Sequence, residues 1–177
     1  MNIKQYLLIS FSCFSLGLLL FALHQKWIII NLPSTQKNIA VASTTHKKNC
    51  RLFYFHNNKW HTETSLLIWS ENSADNLALL VNQWLSLLHE EKIIKKKTIL
   101  ESACVSEHHE LLLSFDRTLF GKEATTHEKL MIVEGLLKTI RENEPAIKKV
   151  RILVAHQALP DYHLNFTNPW PIQGFMG

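Results

Sequence analysis

Residues 110–155 read ELLLSFDRTLFGKEATTHEKLMIVEGLLKTIRENEPAIKKVRILVA, and the change of rhythm within them decides the fold class. The run ELLLSF (110–115) has the length and apolar content of a strand. Thr125 followed by Glu128 has the spacing of a capping box, in which each side chain takes up the other residue's backbone N–H. Leu130, Val133, Leu137 and Ile140, flanked by Ile132 and Leu136, then recur at three and four, the period of a helix with one buried face. Pro145 ends it. VRILVA (150–155) is β-branched and closes the stretch as a short strand.

The same reading extends upstream. TILESACVSE (98–107) is separated from residues 110–115 only by His108-His109, so the two runs predict antiparallel strands. RLFYFH (51–56), then Asn57-Asn58, then the run 59–69 predict a second hairpin, because Asn tolerates the positive φ that a tight turn demands. SENSAD (70–75) supplies helix-capping residues, after which Leu77, Leu80, Val81, Trp84, Leu85 and Leu88 trace an amphipathic helix. Lys92, Lys95, Lys96 and Lys97 close it where cations suit the helix dipole. The order β-β-α-β-β-α-β predicts an α+β fold: a mainly antiparallel sheet with two helices packed on one face. Residues 50–56 and 150–155 are the expected sheet edges, with backbone groups free to pair.

Upstream of this unit lies YLLISFSCFSLGLLLFAL (6–23), which carries no formal charge. At about 1.5 Å per residue it is roughly 27 Å long, close to the hydrocarbon thickness of a bilayer. It predicts one N-terminal transmembrane helix. Residues 21–25 (FALHQ) offer only one of the small residues that a cleavage site needs, and Ser10 stands where a lipobox ending at Cys13 wants leucine, so an uncleaved anchor is expected. The stretch PSTQKNIAVASTTHKK (33–48) has little to bury and reads as a tether. The organisation is therefore an anchor at 1–30, a polar linker at 31–48, one folded domain at 49–168 and a tail at 169–177, in keeping with a length of 177 residues.

Composition removes several classes of function. Hydrophobic residues make up 46% and charged ones 19%, so the chain is not disordered by composition. Of five glycines only Gly121 and Gly135 fall inside the folded unit, and no glycine-rich phosphate loop can be written from them. A net charge of +4 does not demand nucleic acid, and none is expected as a partner. Cys50 and Cys104 read either as two buried thiols or as a pair in an oxidising compartment. His108, His109, His127, His156 and His163 show no metal-ligand spacing, and Ser102-Ala103-Cys104 has no glycine elbow. No catalytic residue, metal or cofactor is expected.

Residues 111–116 (LLLSFD), 128–140 (EKLMIVEGLLKTI), 146–154 (AIKKVRILV) and 161–166 (DYHLNF), ahead of Pro169, together resemble the GerMN domain family. That family's pattern is a strand of the apolar-x-apolar-Phe-Ser type, a helix ending in Leu-x-x-Thr-apolar, and a strand reading Val-x-apolar-x-Val. The chain departs from it where His89-Glu90-Glu91 replace a Gly-Pro after the first helix, and where Ala155-His156 replace a glycine after the last strand. The resemblance implies a non-catalytic binding and assembly module of a cell-envelope or sporulation-type complex, held outside the cytoplasm. Its partners would be envelope proteins or further copies of itself, packed side by side. Candidate contacts are Trp60, Asp116, Glu134, Lys138, Arg141, Glu142 and Trp170. Two other readings stand beside it: a membrane-anchored hydrolase or metal enzyme that uses the histidines, and a peptidoglycan or polysaccharide binder that uses Trp60 and Trp170.

Overall fold

A computed structural model describes residues 45–121 and 123–175. The expected anchor at 6–23 lies outside them. Among the described residues no helix is long and apolar enough to cross a membrane. The elements run β1 (His46–His56), β2 (Lys59–Trp69), α1 (Ser73–Glu90), β3 (Leu100–Val105), β4 (Glu110–Phe115), α2 (Thr126–Asn143), β5 (Lys149–Val154), β6 (Gln157–Ala158) and β7 (Trp170–Pro171).

Local chemistry accounts for the element ends. Asn57 and Asn58 take φ of 50° and 59° and turn the chain between β1 and β2, which pair antiparallel over their full length. The Asn72 side chain caps α1 by accepting from the Ala74 amide at 3.0 Å. At the start of α2 the capping box is complete: Glu128 Oε2 accepts from the Thr125 amide at 2.7 Å, and the Glu128 amide donates to Thr125 Oγ1 at 3.2 Å. Ala155 and His156 take φ of 47° and 63° in the two-residue turn between β5 and β6, a region that favours glycine. Two outside contacts hold that turn: the Ala155 amide donates to the Phe115 carbonyl at 2.9 Å, and the His156 amide donates to Ser114 Oγ at 3.0 Å.

The α+β class and two helices are as expected, but the sheet arrangement differs in two respects. β1 and β2 form a separate two-stranded sheet, and the second sheet runs β3-β4-β5-β6 with β7 added to β5. Within the second sheet β4 and β5 are parallel, Glu110 opposite Lys149 through Phe115 opposite Val154. The physical reason is the connection. A helix carries the chain from the end of β4 back to the start of β5, and such a crossover joins parallel strands. The helices do not simply cover one face of one sheet either: α1 packs on β1, β2 and β3, and α2 packs on β1.

One apolar cluster joins these layers. It includes Leu52 and Trp69 of the hairpin, Leu80 and Trp84 of α1, Leu136 and Ile140 of α2, and Leu113 and Ile152 of the larger sheet. All six apolar positions read from the sequence of α1 are buried. The two expected edges are covered. β5 lies between β4 and the β6 and β7 strands. The outer edge of β1 is clasped by α2: the Arg51 amide donates to Asn143 Oδ1 at 3.1 Å, Asn143 Nδ2 donates to the Arg51 carbonyl at 2.7 Å, and the Phe53 amide donates to Thr139 Oγ1 at 2.9 Å. Trp84 Nε1 donates to the Phe53 carbonyl at 2.8 Å. Gly135 permits the close approach, since a Cβ there would sit 3.0 Å from the Phe53 carbonyl oxygen.

Candidate functional site

Three segments distant in sequence meet around an open cleft of about 810 Å³: the tip of the β1–β2 hairpin, the turn that follows α1, and the approach to α2. The hairpin contributes Tyr54, Phe55, Asn57 and Asn58. Lys92, at φ 59°, reverses the chain after α1, where its amide donates to the His89 carbonyl at 3.1 Å, and so brings Lys92, Ile93 and Lys95 to the second wall. The capped start of α2 supplies His127, Glu128 and Met131, with Glu123 just ahead of it.

Several of these groups are fixed by contacts behind the cleft. Tyr54 stacks on His61, with centroids 5.2 Å apart and planes 17° apart. Phe55 meets the edge of Trp60 at 5.4 Å and of His127 at 5.8 Å. Burial, and then the Glu91 and Glu63 carboxylates, push the Tyr54 phenol above its usual pKa, so it stays a neutral hydroxyl. The Thr125 amide and hydroxyl hold the Glu128 carboxyl below its usual range, and it stays ionised. No Ser, Thr or Cys is among the described lining residues, so the cleft offers amides, imidazoles, charges and apolar surface without an acyl-type nucleophile.

The side chains singled out from the sequence as partner contacts lie elsewhere, and most are engaged within the domain. Glu134 is buried and accepts from the Phe175 amide at 2.9 Å. Lys138 Nζ lies 4.7 Å from the Phe53 ring centroid and 5.3 Å from that of Trp60, which is itself half-buried. Arg141 donates to the carbonyls of Ile172 and Gln173 at 3.3 and 2.7 Å, and Glu142 pairs with Arg51. Asp116 accepts from the Ile99 amide at 2.9 Å and pairs with Arg117 at 2.7 Å. Burial alone would raise its pKa, but these contacts bring it below the usual range. Trp170 is buried among Phe166 and Phe175. The α2 face thus fastens the segment after residue 168, and Ile172 and Trp170 belong to the core.

The structure also separates the reactive residue types. Among the described residues no group of three or more His, Cys, Asp or Glu is placed to hold a metal ion. His108 and His109 occupy an exposed turn, and His156 lies 3.8 Å from Glu101 on the surface. Cys50 is buried, and burial raises its pKa. Cys104 corrects the expectation of two core thiols. It is exposed because β3 is the outer strand of its sheet and Ala103 and Val105 take the inward positions. Sequence reasoning missed Thr139 and Asn143. Their signal was present as two polar residues four apart on the apolar side of a helix.

No protein-family model matches the sequence, and no curated protein matches it. Among solved structures the chain is similar to the tandem GerMN domains of the sporulation protein GerM from Bacillus subtilis, with a TM-score of 0.49 and 12% identity. That likeness covers 74% of this chain and 46% of the other, so the chain spans less than half the length of the tandem protein. It is also similar to a candidate lipoprotein from Clostridium perfringens, with a TM-score of 0.44 and 14% identity over 73% of this chain and 89% of the other.

Proposed function

We propose that this chain is a non-catalytic, GerMN-like binding and assembly module of a cell-envelope or sporulation-type complex. Residues 6–23 tether it to the membrane, and the α+β domain is held outside the cytoplasm. Its partners are envelope proteins or further copies of the same chain. The observation that carries the reading is the position of the GerMN-like segments. Residues 111–116, 128–140 and 146–154 coincide with β4, α2 and β5, the consecutive crossover unit at the centre of the domain.

The interaction surface follows from what is left open. With β1 clasped by α2, the outer strand of the hairpin is β2, and Leu66 and Ile68 project from it, 57% and 61% exposed. Recovery of the full chain from gently solubilised membranes, with its partners, is the test. The expected result is a complex that Leu66→Lys with Ile68→Lys disrupts while the melting midpoint holds. Loss of activity in cells on changing His108, His109, His156 and His163 together to Ala, with folding and complex intact, would replace this reading with a metal-enzyme one.

A further inference from the structure

We propose that the cleft between the hairpin tip, the end of α1 and the start of α2 binds an uncharged saccharide, of the N-acetylhexosamine class, as a small-molecule site separate from any assembly surface. Its volume of about 810 Å³ falls within the roughly 300–1,000 Å³ typical of ligand pockets.

The chemistry of the walls selects among ligands. Among the described lining residues, Lys92 and Lys95 are matched by Glu123 and by the cap carboxylate Glu128, so these four charges cancel. A phosphate or nucleotide would meet two carboxylates, and a fatty chain would strip water from amides and ammonium groups without replacing it. A sugar ring satisfies both demands. It presents C–H surface to aromatic and aliphatic side chains such as Phe55, Ile93 and Met131. It also presents hydroxyl and amide groups to Asn57, Asn58 and His127.

The site is also preorganised. Phe55 is held edge-on between Trp60 and His127, and Tyr54 is held flat against His61, so neither ring must be ordered on binding. The Asn57-Asn58 amides ride on a turn fixed by its own positive φ. This differs from a glycan reading based on Trp60 and Trp170, because Trp170 is buried in the core beside Phe166.

The chain carries its own reporter. Met131 lines the cleft and is one of three methionines, with Met1 and Met176, so a ¹³C-methyl-methionine spectrum of the full chain has few signals. The full chain would be held in a detergent without a sugar headgroup and titrated with chitotriose, then separately with inorganic phosphate. The expected result is a saturable shift of the Met131 signal by chitotriose, with a dissociation constant of about 1 mM or tighter. Asn58→Gly keeps the turn, since glycine accepts that φ, and removes the amide; it should weaken binding roughly two- to tenfold. A Met131 signal that stays put with chitotriose, or that moves with phosphate instead, overturns the proposal. So does equal affinity in Asn58→Gly and in His127→Ala when both keep the wild-type melting midpoint. Since the readout is binding to a single chain, its failure leaves the assembly reading untouched, and loss of the complex leaves this site untouched.

Discussion

Replacing Asn143 with Ala tests how the hairpin is joined to the rest of the domain. The Asn143 side chain is buried and makes three hydrogen bonds, accepting from the Arg51 amide at 3.1 Å and donating to the carbonyls of Arg51 and Thr139 at 2.7 Å each. Truncation leaves both backbone groups of Arg51 without that partner. A buried donor or acceptor left unpaired costs about 1–3 kcal/mol. Because Arg51 itself is exposed and water reaches its side, the lower half of that range applies to each group, giving about 2–4 kcal/mol in all. Against a total stability of about 5–15 kcal/mol this is a large fraction. Urea unfolding of a chain beginning at Ala42, followed by tryptophan fluorescence, measures it. The midpoint should fall with little change in slope. Thr139→Val, which removes the partner of the Phe53 amide, should cost about 1–3 kcal/mol. The double variant should depart from additivity by more than about 0.5 kcal/mol, because both residues hold one strand edge. A cost below about 0.5 kcal/mol for Asn143→Ala would show that the clasp does not hold the hairpin.

Leu137, fully buried in α2, should cost about 2–5 kcal/mol on truncation to Ala, and an unchanged melting midpoint would refute the assigned helix phase. Lys129 and Asp161 form a nearly buried pair at 2.5 Å. Burial would raise the Asp161 pKa, but the Lys129 ammonium and the His163 and Leu164 amides bring it below the usual range. Stability from this group is therefore full above the unfolded carboxylate pKa of about 3.9 and is lost as pH falls through the lower folded value. Asp161→Asn should be less stable than wild type near neutrality, and the gap should narrow below about pH 4 in melts. If the gap stays constant with pH, the pair is not the cause. Gly174→Ala should loosen the C-terminal segment, since φ is 75° and a Cβ would clash with Glu134 Oε2; faster amide exchange at Phe175 and Ile172, with the β4 and β5 amides unaffected, is the expected signature.

The parts of this fold that are legible in the sequence are those governed by near neighbours. The Asn57-Asn58 turn, the Thr125/Glu128 cap and the phase of both helices depend on residues within about four positions of each other, and each lies where the sequence puts it. Strand partners do not have this property. The alternation in residues 50–56 shows which side of β1 is buried, but nothing in it says that β1 and β2 stand apart from the larger sheet. The cleft was not legible for the same reason. Tyr54, Lys92 and His127 line one cleft only after both helices have packed. The charges on α2 read as candidate contacts for a partner, whereas Arg141 and Glu134 reach the last residues of the chain, a contact that spacing cannot express.

The clasp on β1 has a consequence for the order of events during synthesis. Its partners lie 86 and 92 residues further along the chain, at Thr139 and Asn143. A hairpin closes in about 1–10 μs, but a ribosome moving at about 5–20 residues per second takes roughly 4 to 17 s to deliver α2. Throughout that interval the nascent β1 presents an uncapped row of amides and carbonyls to any extended chain nearby. Lys47, Lys48 and Arg51 lie along the same strand, and charges of one sign repel a second copy. Lys48 later donates to the Asn143 carbonyl and Arg51 pairs with Glu142, so residues that guard the strand before α2 exists become part of its fastening afterwards.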